Sequence, residues 1–340
     1  MTLGLTTAGE SHGPALVAIV SGLPAGLDLD REAIDRDLHR RQQGYGRSPR
    51  QQIETDTVEV LAGLRHGRTL GTPLALVVRN RDHKNWIWGM SPWPLEGEPE
   101  GKGTKPVTVP RPGHADLAGA MKYGLADVRD ALERASARHT AVFVAAGAVA
   151  KTLLRQIGVE VDGTVVGLDD VERRVDEARR DRDTVGGVVE VRARGVPPGL
   201  GSYASREDRL DARLAAAALR GSEAHDEILR DERGLHRRTN RAGGVEAGIS
   251  NGEEIVLRAG MKPLPTLMRP LQTVDLATGD PAQALVERSD TAAVEALAVV
   301  AEAAVAFELA RAAREKFGGD AIGDFVAAHG AYLERIDWSP

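Results

Sequence analysis

Two histidines on glycine-rich turns are the side chains of this sequence best suited to proton transfer. His12 lies within Gly9-Glu-Ser-His-Gly13, and His114 lies within Arg111-Pro-Gly-His-Ala-Asp116. Glycine allows positive φ and proline fixes φ, so such turns bend sharply and hold a side chain with little freedom. Because an imidazole titrates near neutral pH, the turns suggest acid–base catalysis. A polar turn with a surface histidine is the alternative, and for an isolated histidine it is the more common one.

Arginines accompany both histidines. The segment 40–50 carries four arginines around a Gly-Tyr-Gly loop, and Arg111 precedes His114. Arg134 and Arg138 are four residues apart, which places them on one face of a predicted helix. Guanidinium groups bind carboxylates and phosphates in a bidentate manner. Solvated basic surfaces are the alternative, but the neighbouring histidines favour a small, highly anionic ligand.

Two further segments complete the set of candidate residues. Lys262-Pro-Leu-Pro-Thr266 follows a predicted strand, and Asp290 precedes a predicted helix, where an N-cap role is a strong alternative. The sequence has no P-loop, no dinucleotide-binding glycine motif and no His-Glu-x-x-His motif. The histidines lack the spacing of metal ligands, so we expect no metal. The residues alone indicate acid–base chemistry on an anion and leave the reaction open.

Composition limits the class of protein. The chain has 340 residues, 42% of them hydrophobic, a net charge of −6 and no cysteine. A large core is therefore possible, a nucleic-acid partner is not expected, and disulfides and thiolate catalysis are excluded. No signal sequence and no apolar run of membrane-spanning length is visible, which favours a cytoplasmic protein without a membrane partner. The absence of repeats and linkers predicts one domain over residues 1–340.

The first half of the chain must position these residues. Apolar periodicity, capping residues and turn residues predict the following elements: a buried strand over 15–20, a helix from Asp30 to about Arg41, two antiparallel strands within 53–80, an irregular proline-rich loop over 89–110, and a mainly helical run over 117–158 that breaks near Gly124.

The same reasoning covers the second half. It predicts strands within 159–168, 184–194 and 255–257, helices over 170–183, 208–219 and 293–316, and a glycine turn over 239–244. Gly318-Gly319 ends the last helix.

Seven motifs together resemble the chorismate synthase family. They are Gly9-Glu-Ser-His-Gly13, Gly44-Tyr-Gly-Arg47, Arg111-Pro-Gly-His-Ala-Asp116, Arg134-Ala-Ser-Ala-Arg138, Thr239-Asn-Arg-Ala-Gly-Gly244, Lys262-Pro-Leu-Pro-Thr266 and Arg288-Ser-Asp290. They occur in the family's order between Thr6 and about Gly319. The resemblance implies an α+β fold in which a central helical layer is sandwiched between antiparallel β-sheets, assembled as a homotetramer.

The resemblance also implies a reaction. The family converts 5-enolpyruvylshikimate 3-phosphate to chorismate and phosphate by anti-1,4-elimination, a lyase reaction on the route to the aromatic amino acids. It requires FMN in its reduced form, although the reaction itself has no net redox change. NADPH or another reductant supplies the electrons that reduce the FMN.

Roles for single residues follow from the same resemblance. His12 matches the histidine that protonates the leaving phosphate, and His114 matches the histidine that protonates the flavin. Asp290 matches the acidic residue that works with the flavin to remove the ring proton, and Ser11 and Ser136 match supporting serines. The residues that match substrate-binding positions are Arg41, Arg47, Arg50, Arg111 and Arg138. The residues that match FMN-binding positions are Arg134, Ala135, Ser136, Ala247, Lys262, Pro263, Leu264, Pro265, Thr266 and Arg288.

Four departures separate this chain from the family pattern. His139 stands where the family has glutamate, and Ala247 stands where it has a glycine that contacts the flavin. The segment between Leu219 and Ser222 is shortened, as is that between Leu168 and Asp170. Because these changes concentrate on the flavin side, we expect weaker FMN binding. A paralogue with a related elimination on a modified cyclohexene substrate and a non-catalytic relative stay open as alternatives.

Overall fold

A layer of helices separates two antiparallel β-sheets in the computed structural model. The structure describes residues 2–47, 55–205, 207–214, 226–231, 234–284 and 290–336. Its strands are β1 (Gly4–Ala8), β2 (Ala15–Ser21), β3 (Ala25–Asp28), β4 (Glu59–Ala62), β5 (Leu64–Arg65), β6 (Arg68–Leu70), β7 (Leu74–Arg79), β8 (Glu160–Val166), β9 (Gly187–Arg194), β10 (Ile228–Asp231), β11 (Gly234–Arg237), β12 (Val245–Glu246), β13 (Ile249–Ser250), β14 (Ile255–Met261), β15 (Gln272–Val274) and β16 (Pro281–Gln283).

The helices are α1 (Arg31–Gln42), α2 (Asp116–Tyr123), α3 (Arg129–Ala135), α4 (Thr140–Arg155), α5 (Leu168–Asp181), α6 (Leu210–Leu214), α7 (Val294–Phe317) and α8 (Ile322–Ile336). Short 3₁₀ helices cover Arg81–Asn85 and Ala137–His139. The first sheet has the order β1-β2-β7-β4, and the second has the order β14-β9-β8. Between them lie α1, α4 and α7, which confirms the predicted α+β architecture.

Small residues allow α4 and α7 to pack closely. A Cβ atom added to Gly147 on α4 would lie only 2.3 Å from the Cβ atom of Ala303 on α7. The two helices bury most of their aliphatic side chains against each other and the sheets. Burial of this apolar area is the main source of stability for the layer.

A buried ionic network joins the three central helices. Lys151 on α4 lies 2.5 Å from both Asp37 on α1 and Glu302 on α7. Arg40 on α1 contacts Asp37 and Glu302, each at 2.9 Å. Burial alone would raise the pKa of Glu302, but Arg40 and Lys151 outweigh this effect and hold that pKa below its usual value. The network fixes the end of α1, where Arg41 begins the candidate site.

Several predicted elements are confirmed. The strand over 15–20 is β2, and α1 begins where expected, because the Asp30 side chain accepts a hydrogen bond from the Glu32 amide at 2.9 Å. The pair within 53–80 is β4 and β7, with a small hairpin between them. Residues 89–110 are irregular, and the later strands are β8, β9 and β14.

Other expectations need correction. The helical run over 117–158 breaks at Ser136 as well as near Gly124, since Ser136 has an extended ψ of 143°. Arg134 and Arg138 therefore do not share a helix face. The side chain of Asp290 does not cap α7, which begins after Ala293 without a side-chain cap. Helix α8 was not predicted. The helix predicted over 208–219 is seen as α6 from Leu210 to Leu214, and 215–219 lie outside the described residues.

Candidate active site

Glu133 holds His12 at two points. The Nδ1 atom of His12 lies 2.9 Å from Oε2 and 3.0 Å from Oε1 of Glu133, and the backbone amide of His12 donates to Oε2 at 2.9 Å. Glu133 is buried on α3, whereas His12 is partly exposed on the turn between β1 and β2. Burial of an acceptor makes its hydrogen bonds costly to lose, so this contact fixes the turn.

A tryptophan covers the other side of the His12 ring. The rings of His12 and Trp86 are stacked, with centroids 4.0 Å apart and an angle of 19° between their planes. The indole Nε1 of Trp86 donates to Asp82 at 2.9 Å, and the Arg129 guanidinium lies 5.3 Å from the Trp86 ring centroid. Burial would raise the pKa of Asp82, but hydrogen bonds from Asn85 and Trp86 and the charge of Lys102 lower it overall.

Asn80 connects the His12 turn to Arg138. Its Nδ2 atom donates to the carbonyl oxygens of Glu10 at 3.0 Å and Gly13 at 2.7 Å, and its Oδ1 atom accepts from Nε of Arg138 at 2.9 Å. Asn80 is buried at the end of β7. The amide therefore couples a candidate substrate-binding arginine to the backbone that carries the histidine.

Three arginines converge beside this turn. Arg41 and Arg138 each donate to the buried carboxylate of Asp56 at 2.7 Å, and Arg47 pairs with Asp290 at 2.8 Å. Burial lowers the pKa of Arg41, Asp56 opposes this shift, and the neighbouring charges of Arg138 and Arg47 add to it. Among the residues described, the buried Nε atoms of Arg41 and Arg47 have no hydrogen-bond partner.

The two candidate serines also meet. Ser136 Oγ donates to Ser11 Oγ at 3.2 Å, and the amide of Ser11 donates to the carbonyl oxygen of Glu133 at 3.0 Å. His139 donates from Nδ1 to the carbonyl oxygen of Ser136 at 2.6 Å. Arg134, on the last turn of α3, donates to the backbone and side-chain oxygens of Thr7 at 3.1 and 2.8 Å. These contacts join α3 to the edge of the first sheet.

The turn that carries His114 contains its own partners. Asp116 is fully buried and accepts from Arg111 through Nε at 2.9 Å and through the backbone amide at 3.0 Å. Nδ1 of His114 contacts the other carboxylate oxygen of Asp116. Burial would raise the pKa of Asp116, but the bonds from His114 and Arg111 hold it well below its usual range. The contact to Asp116 directs Nε2 of His114 away from the carboxylate.

The Lys-Pro-Leu-Pro-Thr segment lies against this turn. Lys262 Nζ donates to the carbonyl oxygen of Gly113 at 2.5 Å, and a Cβ atom added to Gly113 would lie 3.3 Å from Cβ of Pro265. Thr184 Oγ1 donates to the carbonyl oxygen of Leu264 at 2.7 Å, which anchors the segment. The sequence separated these segments by about 150 residues, and the fold makes them neighbours.

Other candidates lie elsewhere. Ala247 is exposed at the turn between β12 and β13, where the neighbouring Gly248 carbonyl accepts from the Leu210 amide of α6 at 2.8 Å. Arg50, Arg288 and the shortened segment at 219–222 lie outside the described residues. The other shortened segment, between Leu168 and Asp170, lies in the first turn of α5, which follows β8 after the single left-handed residue Gly167.

Four residues of the site were not found by sequence reasoning: Glu133, Trp86, Asp56 and Asn80. Each of them acts by contact with a residue far away along the chain, and none has a motif of its own. The one available signal is that Glu133 directly precedes the Arg134-Ala-Ser-Ala-Arg138 motif. A carboxylate beside a cluster of arginines has many possible partners, so the sequence did not identify His12 as its partner.

Comparisons with known proteins identify the family. The chorismate synthase family model matches residues 3–220 and 215–313, and these two ranges overlap at 215–220, where the shortened segment after Leu219 begins. A chorismate synthase from Rubrobacter xylanophilus is 49% identical over 385 aligned positions, which include 99% of this chain and 98% of the relative. A chorismate synthase from Anaeromyxobacter dehalogenans is 50% identical, with 99% of this chain and all of the relative covered.

A solved structure agrees with these relatives. A crystal structure of chorismate synthase superimposes with a TM-score of 0.75 at 32% sequence identity, and 98% of each chain is covered. The alignment with the Rubrobacter protein is longer than the 340 residues of this chain, so that relative has segments which this chain lacks. With matches of this extent to the family model, to full-length relatives and to a solved fold, the chain belongs to the chorismate synthase family, whose members are carbon–oxygen lyases.

Proposed function

We propose that this chain converts 5-enolpyruvylshikimate 3-phosphate to chorismate in the site formed by the His12 turn and the three converging arginines. The observation that carries the proposal is the pair of buried Nε atoms on Arg41 and Arg47, which lack partners among the described residues. A buried N–H group without a partner is costly, and the charges of Arg138 and Arg47, which add to the lowered pKa of Arg41, favour an anion among the three guanidinium groups. A substrate with one phosphate and two carboxylates suits such a site.

The elimination places two demands on the side chains. A ring C–H bond and the C–O bond to phosphate break, the existing ring C=C bond shifts by one position, a second C=C bond forms, and phosphate leaves with the electron pair of the C–O bond. An acid beside the phosphate oxygen stabilises this departure. We assign this role to His12, and the support is that Glu133 faces Nδ1, which puts Nε2 on the far side of the ring. Asp290, held by Arg47 at 2.8 Å, is the proposed acceptor of the ring proton.

The residues beside His114 fit a flavin phosphate and ring in their chemistry. Lys262 supplies a cation, Pro263 to Pro265 supply a partly apolar surface, and Gly113 has no Cβ to keep that surface away from the turn. Bound there, reduced FMN would supply an electron-rich ring that assists the elimination. This chain's part is to hold the segment in place through Thr184 and to orient His114 through Asp116.

Some residues matched to FMN are engaged within the chain. Arg134 donates to Thr7, and Ala247 lies beside α6. The contacts described for these two residues therefore do not point toward the Lys262 segment. Their roles toward FMN stay predictions. We expect FMN to bind weakly alone and more tightly with substrate, because the substrate would cover the flavin and exclude water. An FMN absorbance titration with and without substrate measures this difference.

The decisive assay is chorismate formation from 5-enolpyruvylshikimate 3-phosphate under anaerobic conditions with reduced FMN, generated chemically or by NADPH and a flavin reductase. Formation of chorismate and phosphate in equal amounts supports the proposal. FMN binding without turnover of this substrate would favour the paralogue, and failure to bind either ligand would favour the non-catalytic relative.

We also propose a homotetramer and a cytoplasmic location, both from the family resemblance. Light scattering on the purified protein tests the assembly, and a mass of one or two chains would contradict it. Among the helices of the described residues, none combines the length and the apolar character needed to cross a membrane.

A further inference from the structure

We propose that Glu133 is the positioning residue for His12, and that it determines which imidazole nitrogen of His12 carries the proton. The proposal rests on the proposed role of His12 as the acid that protonates the leaving phosphate. Glu133 directly precedes the Arg134-Ala-Ser-Ala-Arg138 motif, but only its contacts in the fold identify His12 as its partner. It would make this site a carboxylate–histidine pair that spans two distant segments of the chain.

The geometry joins orientation and tautomer in one contact. Oε2 of Glu133 accepts from the backbone amide of His12 and from Nδ1, both at 2.9 Å. A carboxylate is an acceptor, so the Nδ1 atom that faces it must carry hydrogen. The neutral ring is then the Nδ1–H form, and the proton that can be transferred sits on Nε2 of the protonated ring. In other enzymes, a carboxylate in this position holds the imidazole in the productive tautomer.

Packing restricts the remaining motion of the ring. Trp86 stacks on His12 at 4.0 Å between centroids and is itself held through Asp82. Arg129, one turn before Glu133 on α3, lies 3.8 Å from the Glu133 carboxylate and 5.3 Å from the Trp86 ring centroid. Arg129 therefore faces both groups that hold His12. The ring cannot rotate without loss of the stack and of the bond to Glu133.

Both oxygens of Glu133 lie beside Nδ1, and both are acceptors, which is what fixes the tautomer. Glu133→Gln keeps the shape of the side chain but replaces one of these oxygens with an NH2 group, which donates and so favours the tautomer in which Nδ1 accepts. Glu133→Ala removes both acceptors. We expect kcat to fall by about 10²-fold or more in both variants, because an amide in place of the orienting carboxylate of a catalytic histidine can cost about 10⁴-fold through the wrong tautomer. We expect KM for the substrate to stay unchanged in both variants.

A control variant separates this role from general damage to α3. Asp127 accepts from the amides of Val107 and Arg129 at 2.8 and 2.9 Å, so Asp127→Ala disturbs the start of the same helix without a contact to His12. Melting temperatures are measured for all three variants. A kcat in Asp127→Ala as low as that in Glu133→Ala, or a wild-type kcat in Glu133→Gln, overturns the proposal.

A second readout does not depend on turnover. Histidine labelled with ¹⁵N reports the protonated nitrogen of each neutral ring, and the His12 signal is identified by its loss in His12→Gln. We expect the Nδ1–H form in the wild-type chain and a shift toward Nε2–H in Glu133→Ala. An Nε2–H form in the wild-type chain overturns the proposal. The Nδ1–H form in a chain that makes no chorismate would instead support Glu133 and refute the proposed function.

Discussion

His12 and His114 stand on similar turns but obtain their carboxylate partners in opposite ways. His114 contacts Asp116, two residues further along the chain, whereas His12 contacts Glu133, 121 residues away. The first turn is a local unit, in which Arg111, His114 and Asp116 interact with each other. The second exists only when α3 has packed beside β1 and β2. A local unit can be recognised as a sequence motif, whereas a long-range pair can be recognised only in the folded structure.

The largest effects are expected when either histidine is removed. His12→Ala and His114→Ala should each reduce kcat by about 10²-fold or more, the usual scale for the loss of a general acid or base. Chorismate formation under anaerobic conditions measures this loss, with FMN binding and the melting temperature as controls. If one variant keeps the wild-type rate with FMN bound, the two turns differ in function as well as in construction.

Asp116→Asn tests the local unit. Loss of the buried negative charge leaves Arg111 and His114 without their partner, which should lower the free energy of unfolding by about 3–5 kcal/mol. Because the pKa of Asp116 is lowered in the folded state, its contribution is fully present above the ordinary carboxyl pKa and decreases as the pH falls below it.

Denaturant unfolding of the wild type and Asp116→Asn between neutral pH and pH 2 checks this expectation. The difference between the two chains should be largest near neutral pH and should shrink in acid. A difference that is independent of pH would mean that Asp116 contributes through packing instead of charge.

Arg47→Ala and Arg111→Ala compare the two arginine environments. Each should weaken substrate binding by about 1.5–3 kcal/mol, the typical contribution of a hydrogen bond to a charged group. Only Arg111→Ala should also lower the melting temperature strongly, because Arg111 holds the fully buried Asp116. The control is Arg194→Ala, which removes an exposed arginine paired with Asp162. Substrate affinity equal to the wild type in Arg47→Ala would remove the Gly-Tyr-Gly loop from the binding site.

Sequence reasoning identified what is local and periodic. Helix α1 with its Asp30 cap and the Arg111 to Asp116 turn were predicted, because each depends on residues close together in sequence. The layered fold was implied by the family resemblance and not by local patterns. The separation of Arg134 from Arg138 was missed, since Ser136 is the extended N-cap of the 3₁₀ helix that follows and accepts from the Arg138 amide at 3.4 Å, a capping role that apolar periodicity does not reveal. An N-cap role was the alternative for Asp290, because this residue stands just before α7 in the sequence. In the structure Asp290 pairs with Arg47, 243 residues earlier, and no local sequence pattern could predict this contact.

The smallest expected effect concerns Ala247, where two accounts compete. Sequence comparison with the family suggested that its methyl group displaces the flavin. The structure offers a backbone account, because Ala247 has a φ of 50° and Gly248 a φ of 85° in the two-residue turn between β12 and β13. Positive φ at both positions is typical of a type I′ turn, in which glycine is favoured.

Ala247→Gly separates these accounts. An L-residue in the left-handed region costs about 1–2 kcal/mol, and part of the gain from glycine is lost to its greater freedom in the unfolded chain. We therefore expect stabilisation by about 0.5–1 kcal/mol, measured by denaturant unfolding, with unchanged FMN affinity. The control is Gly248→Ala, whose added Cβ would lie 2.7 Å from Cγ of Arg209 and which should destabilise the chain. Tighter FMN binding in Ala247→Gly without stabilisation would instead favour the account in which the methyl group meets the cofactor.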